Sequence, residues 1–284
     1  MIPRFTVPLL IAILLTALTT SAIAVSVQYS DPYINFYGWQ HHQHSTQFIL
    51  HNGLFSELAN KTTIRIESGS PSDNNLSLLQ SFWTKRLLIR QGIMRNIAFP
   101  LSPKYFYAYD APIENLLIES HGHYQMEELR FYAGKLSRLP ANLDRLRALR
   151  VLLIKHNQID SIDMSEFKNL ENLEEVSLEY NHINIIQTTS TLSLPVIQKF
   201  SLLQNNLAQL DICLCDMPAL ETFDTSGNKL QHVACLDSLF PELRFLRIYD
   251  NPLDCSWKRS MLRDMTRANT KVEFLSKVTC VLCH

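Results

Sequence analysis

The spacing of its leucines and asparagines constrains this chain more than any other feature. Leu149, Leu152, Ile154, Asn157, Ile159 and Ile162 define a pattern that returns as Leu173, Val176, Leu178, Asn181, Ile183 and Ile186. It returns again as Ile197, Phe200, Leu202, Asn205, Leu207 and Leu210, then as Leu220, Phe223, Thr225, Asn228, Leu230 and Val233, and last as Leu243, Leu246, Ile248, Asn251 and Leu253. Successive asparagines stand 24, 24, 23 and 23 residues apart. A period this short, held over five copies, specifies a stack of coils, because one copy has too little apolar surface to bury by itself. In each coil two apolar residues flank a single residue. Alternation in an extended segment turns both inward, so each triplet predicts a short strand. The asparagine falls where the chain bends away from that strand, and its amide can donate to and accept from backbone groups there.

The pattern is the leucine-rich repeat, L-x-x-L-x-L-x-x-N-x-L. It predicts an α/β solenoid, a horseshoe with short parallel strands on its concave face and few regular helices. Weaker copies precede the five: Met126, Leu129, Phe131, Gly134, Leu136 and Leu139; Phe106, Ala108, Ala111, Ile113 and Leu116; Leu87, Ile89, Gly92, Met94 and Ile97; and Ile64, Ile66 and Gly69. That makes nine coils over residues 61–253. The step from Gly92 to Ala111 is only 19 residues, and Leu116-x-Ile118 offers an alternative strand centre there. Gly69, Gly92 and Gly134 can make the bend but supply no amide, so the N-terminal half should be less regular.

Residues 1–24 read as a secretory signal, with Arg4 as the only charge, an apolar run from Val7 to Leu18 and a small-x-small site at Ala22-Ile23-Ala24. No later segment is long and apolar enough to span a membrane. All six cysteines (Cys213, Cys215, Cys235, Cys255, Cys280 and Cys283) lie beyond the signal, an even count that suits disulfides in an exported chain. Cys213 lies eight residues after Asn205 and Cys235 seven after Asn228, which places them at nearly one height in neighbouring coils. Strand stacking sets them about 5 Å apart, within disulfide reach. Asn60-Lys61-Thr62 and Asn75-Leu76-Ser77 are glycosylation sequons.

Residues 25–60 are aromatic and cysteine-free and are expected to cap the N-terminal end of the stack; residues 254–284 are expected to cap the other. Asn251-Pro252-Leu253-Asp254-Cys255-Ser256-Trp257, closing with Cys280 and Cys283, resembles the cysteine-rich C-terminal cap of extracellular leucine-rich-repeat proteins. Trp257 stands where that cap usually has its second cysteine. Cys255 is expected to pair with Cys280 or Cys283, leaving Cys215 and one C-terminal thiol free, joined together or used between chains; Cys283 is the choice for an interchain bond. The five asparagine-bearing coils, the late-coil cysteine pair and this cap together resemble the leucine-rich immune proteins of mosquitoes, over most of residues 60–284. That resemblance implies a haemolymph protein that holds a complement-like thioester protein or another leucine-rich-repeat chain. The sequence has no heptads after the cap, so it is similar to a coil-less member.

The strand register also fixes the outward residues. One column is Arg65, Leu88, Tyr107, Arg130, Leu153, Ser177, Ser201, Asp224 and Arg247; the next is Glu67, Arg90, Tyr109, Tyr132, Lys155, Glu179, Leu203, Ser226 and Tyr249. Tyr107, Tyr109, Arg130, Tyr132 and Lys155, with Arg90 beside them, should form an aromatic-basic patch of the residue types enriched at binding hot spots. Arg247 and Tyr249, with Phe245, make a smaller candidate. His41, His42, His44 and His51 match no closed zinc spacing and read as a solvated loop.

No G-x-S-x-G, H-E-x-x-H, phosphate loop or G-x-G-x-x-G occurs, so neither an enzyme nor a cofactor is expected. Lys+Arg of 26 against Asp+Glu of 27 gives a formal charge of -1, which disfavours nucleic acid as a partner. The expected function is secreted recognition of a protein partner or a microbial surface on the concave sheet, in insect innate immunity by resemblance. An adaptor of the extracellular matrix is the alternative.

Overall fold

A computed structural model describes residues 26–30, 33–37, 63–67, 86–90, 96–99, 101, 103–236, 240–267 and 271–273. Its strands, in chain order, are β1 (Ser26–Ser30), β2 (Tyr33–Tyr37), β3 (Thr63–Glu67), β4 (Arg86–Arg90), β5 (Asn96–Ala98), β6 (Tyr105–Tyr109), β7 (Asn115–Leu117), β8 (Glu128–Tyr132) and β9 (Val151–Lys155). They continue as β10 (Ser161–Asp163), β11 (Glu175–Ser177), β12 (Ile185–Gln187), β13 (Leu192–Ser193), β14 (Lys199–Ser201), β15 (Cys215–Asp216), β16 (Thr222–Asp224), β17 (Phe245–Arg247) and β18 (Lys271–Glu273). One long helix, α1 (Cys255–Arg267), precedes β18. Residues 1–24, expected to be a signal, and Asn60, Asn75, the histidine cluster, Cys280 and Cys283 lie outside the described residues.

Among the described residues one sheet takes a strand from each coil, in the order β1-β2-β3-β4-β6-β8-β9-β11-β14-β16-β17-β18. β1 and β2 pair antiparallel, and every later pairing in it is parallel. The opposite side of the stack carries two-stranded parallel pieces, β5-β7, β10-β12 and β13-β15. This is a leucine-rich-repeat solenoid. The short step after Gly92 is resolved by β6: Phe106 and Ala108 pair with Leu87 and Ile89, while Leu116 belongs to β7 in a separate sheet.

The core runs the length of the stack. Leu129, Leu152, Leu178, Leu202 and Leu246 are all fully buried, with Phe106, Phe131 and Phe223 among the largest side chains inside. Removing one such leucine side chain to alanine costs about 2–5 kcal/mol in a packed interior. Bends follow a second rule. The residue before each of these bend positions takes a left-handed backbone: Asp110, Ala133, His156, Tyr180, Gln204 and Asp250 with φ between 51° and 55°, and Gly227 with φ of 65°. The following asparagine then stabilises the turn. Asn205 donates to Leu178 O and Leu202 O, both at 3.0 Å, and accepts from Ile183 N at 3.0 Å. Asn181, Asn228 and Asn251 repeat these bonds, so each bend ties its own coil to the preceding one. At Gly134 a Cβ would stand 2.5 Å from Asn157 Oδ1, so the first amide of the ladder requires glycine one coil earlier.

At the far end, Asp254 receives the first free N–H groups of α1, from Ser256 at 2.8 Å and Trp257 at 3.0 Å, as an N-cap does. Met261 and Met265 on the inner face are buried in the core, with Trp257 packed against it. Cys255 is the first residue of this helix.

Candidate functional site

β6, β8 and β9 lie side by side with five residues each in register. Their inward residues are core, and their outward residues make a three-by-three grid. Tyr105, Glu128 and Val151 form its first row, Tyr107, Arg130 and Leu153 its second, Tyr109, Tyr132 and Lys155 its third. Four tyrosines therefore meet on two adjacent strands. Tyr109 and Tyr132 stack with centroids 5.1 Å apart and planes 10° from parallel. Arg130 lies over the Tyr107 ring, 5.3 Å from its centroid. Each of these contacts is worth about 0.5–1 kcal/mol beyond area burial.

Glu128 organises the centre. Its Oε2 accepts from the Tyr107 hydroxyl at 2.9 Å and from Arg130 Nε at 3.1 Å, and it also pairs with the Arg130 terminal nitrogen at 2.8 Å. Burial alone would lower the guanidinium pKa; Glu128 and Tyr107 outweigh it, and the pKa is raised. Lys155 Nζ donates to Glu179 at 2.9 Å. Burial pushes the Glu179 carboxyl up, but the bond from Lys155, the Ser177 and Ser201 hydroxyls and the Lys155 charge together outweigh it, and the pKa ends lowered.

These contacts correct the sequence reading of this face. The patch expected to be aromatic and basic is aromatic and charge-paired, because both of its described cations are held by carboxylates. Arg90 is placed by its backbone alone, beside Tyr109. Tyr105 and Glu128 were missed. They face outward by the same alternation, one position before the inward residue, and adding that position to the two outward columns would have found them. Part of the outward surface is also closed: Leu153, Ser177, Asp224 and Ser226 are buried, since short side chains sink among larger neighbours. Burial raises the Asp224 pKa.

The second candidate stands on β17, separated from β9 by β11, β14 and β16. There Arg247 lies 5.9 Å from the centroid of the Phe245 ring, and Tyr249 is half-buried. The two groups are separate on the sheet.

The cysteines divide sharply. Cys213 and Cys235 are joined in a disulfide with Cα atoms 5.1 Å apart. Cys215 is 1% exposed, and burial pushes its thiol up to about 11. Buried in this way, the Cys215 sulfur is not presented at the surface. Asp211 lies near Cys213 and Cys235 in a metal-like trio, but the disulfide consumes both sulfurs.

The profile described as Leucine rich repeat matches residues 147–207. The fold is similar to the crystal structure of the mosquito LRIM1 leucine-rich-repeat domain, with a TM-score of 0.58 and 14% identity over 86% of this chain and 83% of that one. It is similar also to the crystal structure of the LRIM1/APL1C complex, with a TM-score of 0.56 and 14% identity over 82% of this chain. This chain spans 55% of the matched chain of that complex. No curated protein matches in sequence. The chain has the leucine-rich-repeat solenoid fold. At such identity the likeness concerns the fold alone. No helix among the described residues is long and apolar enough to cross a membrane.

Proposed function

We propose that this chain is an exported recognition scaffold of insect innate immunity that docks a protein partner on the β6–β8–β9 face. The tyrosine grid carries the reading. Four tyrosines with a pre-set Arg130 present large contact area at little entropic cost, because Glu128 and Tyr107 already hold the guanidinium. Export is supported by the signal-like residues 1–24 and by the Cys213–Cys235 disulfide, which needs an oxidising compartment. The immune role and the partner class, a complement-like thioester protein or another leucine-rich-repeat chain, rest on the resemblance to mosquito immune repeat proteins. The LRIM1/APL1C complex is an assembly between proteins of similar fold to this chain, which favours a protein partner over a microbial surface.

The test is capture from insect body fluid. Tyr107, Tyr109, Arg130 and Tyr132 changed together to alanine should leave the core folded and reduce capture about tenfold or more, as loss of a hot-spot cluster does. Unchanged capture removes this face from the reading. Induction by infection together with recovery from haemolymph supports immunity; retention in matrix with constitutive expression supports the adaptor instead.

A further inference from the structure

Past the sheet, each coil turns through its left-handed residue onto one side of the stack. His156, Tyr180, Gln204 and Gly227 hold that position in four successive coils, with φ of 53°, 54°, 55° and 65°. Their N–H groups donate to the next coil, at the carbonyls of Glu179, Leu203, Ser226 and Tyr249, which keeps them in one row. Two residues later, beyond the buried asparagine, alternation turns Gln158, His182 and Asn206 to the same side. His156, Gln158, Tyr180, His182 and Gln204 are exposed and Asn206 is half-buried. None of these six is a carboxylate, a lysine or an arginine. Lys135 and Lys229 continue the second row, each two coils from Tyr180 and so about 10 Å along the stack. Asp160, further along its own coil, accepts the Ser161 hydroxyl at 2.7 Å.

The first row contains a ring stack with one open end. The His156 and Tyr180 rings lie 4.3 Å apart with planes 7° from parallel. Gln204, the next member, would cover the other face of Tyr180 if its amide stood upright over its own coil. It leans the other way. A Cβ on Gly227 would collide with the Gln204 amide, so that amide occupies the place of the side chain glycine lacks. Tyr180 accordingly stays 44% exposed. Coils repeat at about 4.8 Å and carbon atoms pack at about 3.5–4 Å, so the gap beyond Tyr180 takes one further ring.

We propose that this lateral face binds an uncharged glycan, with one pyranose ring stacked on the open face of Tyr180. A pyranose has a face of C–H bonds that packs on an aromatic ring, while its hydroxyls point outward around the rim. Each hydroxyl both donates and accepts, and so do the amides of Gln204 and Asn206 and the imidazole of His182 on the same side of the stack. A cationic side chain would want a carboxylate in the gap, and a sulfate or phosphate would want a cation; the two rows supply neither there. An apolar side chain would strip water from the amides and leave them unpaired. The face shares no residue with the tyrosine grid, so it is independent of the docking of a protein partner on the sheet. The same sugar chemistry is found on a glycoprotein and on a free polysaccharide.

The experiment titrates the purified full chain with two uncharged probes. A β-1,3-linked glucose hexasaccharide stands for a free polysaccharide, and a released high-mannose oligosaccharide stands for a glycoprotein. Saturable binding of either supports the proposal, and the stronger of the two names the source. Tyr180→Ala should weaken that binding about fivefold or more, whereas Tyr180→Phe, which keeps the ring, should not. The unfolding midpoint of Tyr180→Ala, at an exposed site, checks that the stack is intact. Molar sodium chloride should leave the affinity unchanged, since no ion pair is involved. The variant lacking the tyrosine grid should bind the sugar normally, so a failed partner capture and a failed sugar titration are read apart. No saturable binding of either probe, equal binding by a folded Tyr180→Ala, or binding abolished by salt would each overturn the proposal.

Discussion

The stretch from Tyr105 to Gly134 and the stretch from Asn157 to Asn251 build the same sheet with different fasteners. In the second, a buried asparagine at every bend ties neighbouring coils through both ends of its amide. In the first, the bend residues are Ala111 and Gly134, which have no amide to offer. Aromatic rings take over there: Phe99 packs 5.2 Å from Phe106, Phe106 stacks 5.5 Å from Phe131, and Tyr124 accepts the Glu119 N–H at 2.8 Å. Paired strands are also longer in the first stretch, five residues in β6 and β8 against three in β11, β14 and β16. Longer strands put a third outward row into the sheet, and the tyrosine grid occupies all three. Regularity in this molecule belongs to the part that holds the stack together, and the chemically distinctive surface belongs to the part with looser sequence rules.

If the amide ladder is what ties the second stretch, its rungs should differ in predictable order. Asn205→Ala leaves the Ile183 N–H buried and unpartnered and takes one bond each from Leu178 O and Leu202 O, which keep Asn181 and Asn228, so it should cost about 2–3 kcal/mol. Asn157 makes two such bonds, to Lys155 O at 2.9 Å and from Leu136 N at 3.2 Å, so Asn157→Ala should cost less. Denaturant unfolding of both variants reads the difference; equal losses would erase the distinction. Gly134→Ala comes next. Its new Cβ must displace the Asn157 amide, so about 1–2 kcal/mol should be lost, in the range of an overpacked core. In the background of Asn157→Ala most of that loss should vanish, since the obstructing atom is gone.

The same contrast explains how far the sequence could be read. Strand register was legible from Met126 onward, because core positions recur there at one period and alternation assigns every neighbour; before it, the 19-residue step from Gly92 to Ala111 left Leu116-x-Ile118 as a rival centre until the pairing of β6 decided it. Cys213 and Cys235 could be paired for the same reason: position relative to Asn205 and Asn228 measures height in the stack. The candidate site was only half legible. Tyr107, Tyr109, Arg130 and Tyr132 come together as the register requires, but the pairing of Arg130 with Glu128 and of Lys155 with Glu179 depends on side-chain reach, which no repeat pattern encodes. Burial of Ser177 and Asp224 on an outward column was hidden likewise, because it depends on the size of neighbours in adjacent coils. A ladder of alternating charge also escaped notice. It runs through Lys104, Glu127, Arg150, Glu174, Gln198, Glu221 and Arg244, whose backbones are linked coil to coil.

Acid titration sets one carboxyl of each stretch apart by sign. Glu166 lies in a 3-10 turn of the regular stretch, and burial, then the neighbouring Asp163, push its carboxyl up to about 7. A raised carboxyl binds its proton more tightly folded than unfolded. Its contribution is therefore complete below the ordinary value of 4.5 and is lost as pH rises to about 7. Glu127, in the other stretch, is held low chiefly by its bond from Lys104, so its contribution is present above 4.5 and lost on further acidification. Stability measured from pH 7 down to 4.5 should rise, and Glu166→Gln should flatten that rise. A rise that survives the substitution would assign it to another group.

The smallest effect is expected from the charge ladder, which runs through both stretches. Arg150 binds Glu174 through two nitrogens at 2.9 Å each and faces water. Exposed pairs are screened by salt and give back in side-chain entropy much of what they gain. Arg150→Ala should shift the unfolding midpoint slightly at low ionic strength and not at all in molar salt. If it proved as damaging as Asn205→Ala, the amides would lose their special place, and the difference between the two stretches would have to be traced to their packed rings alone.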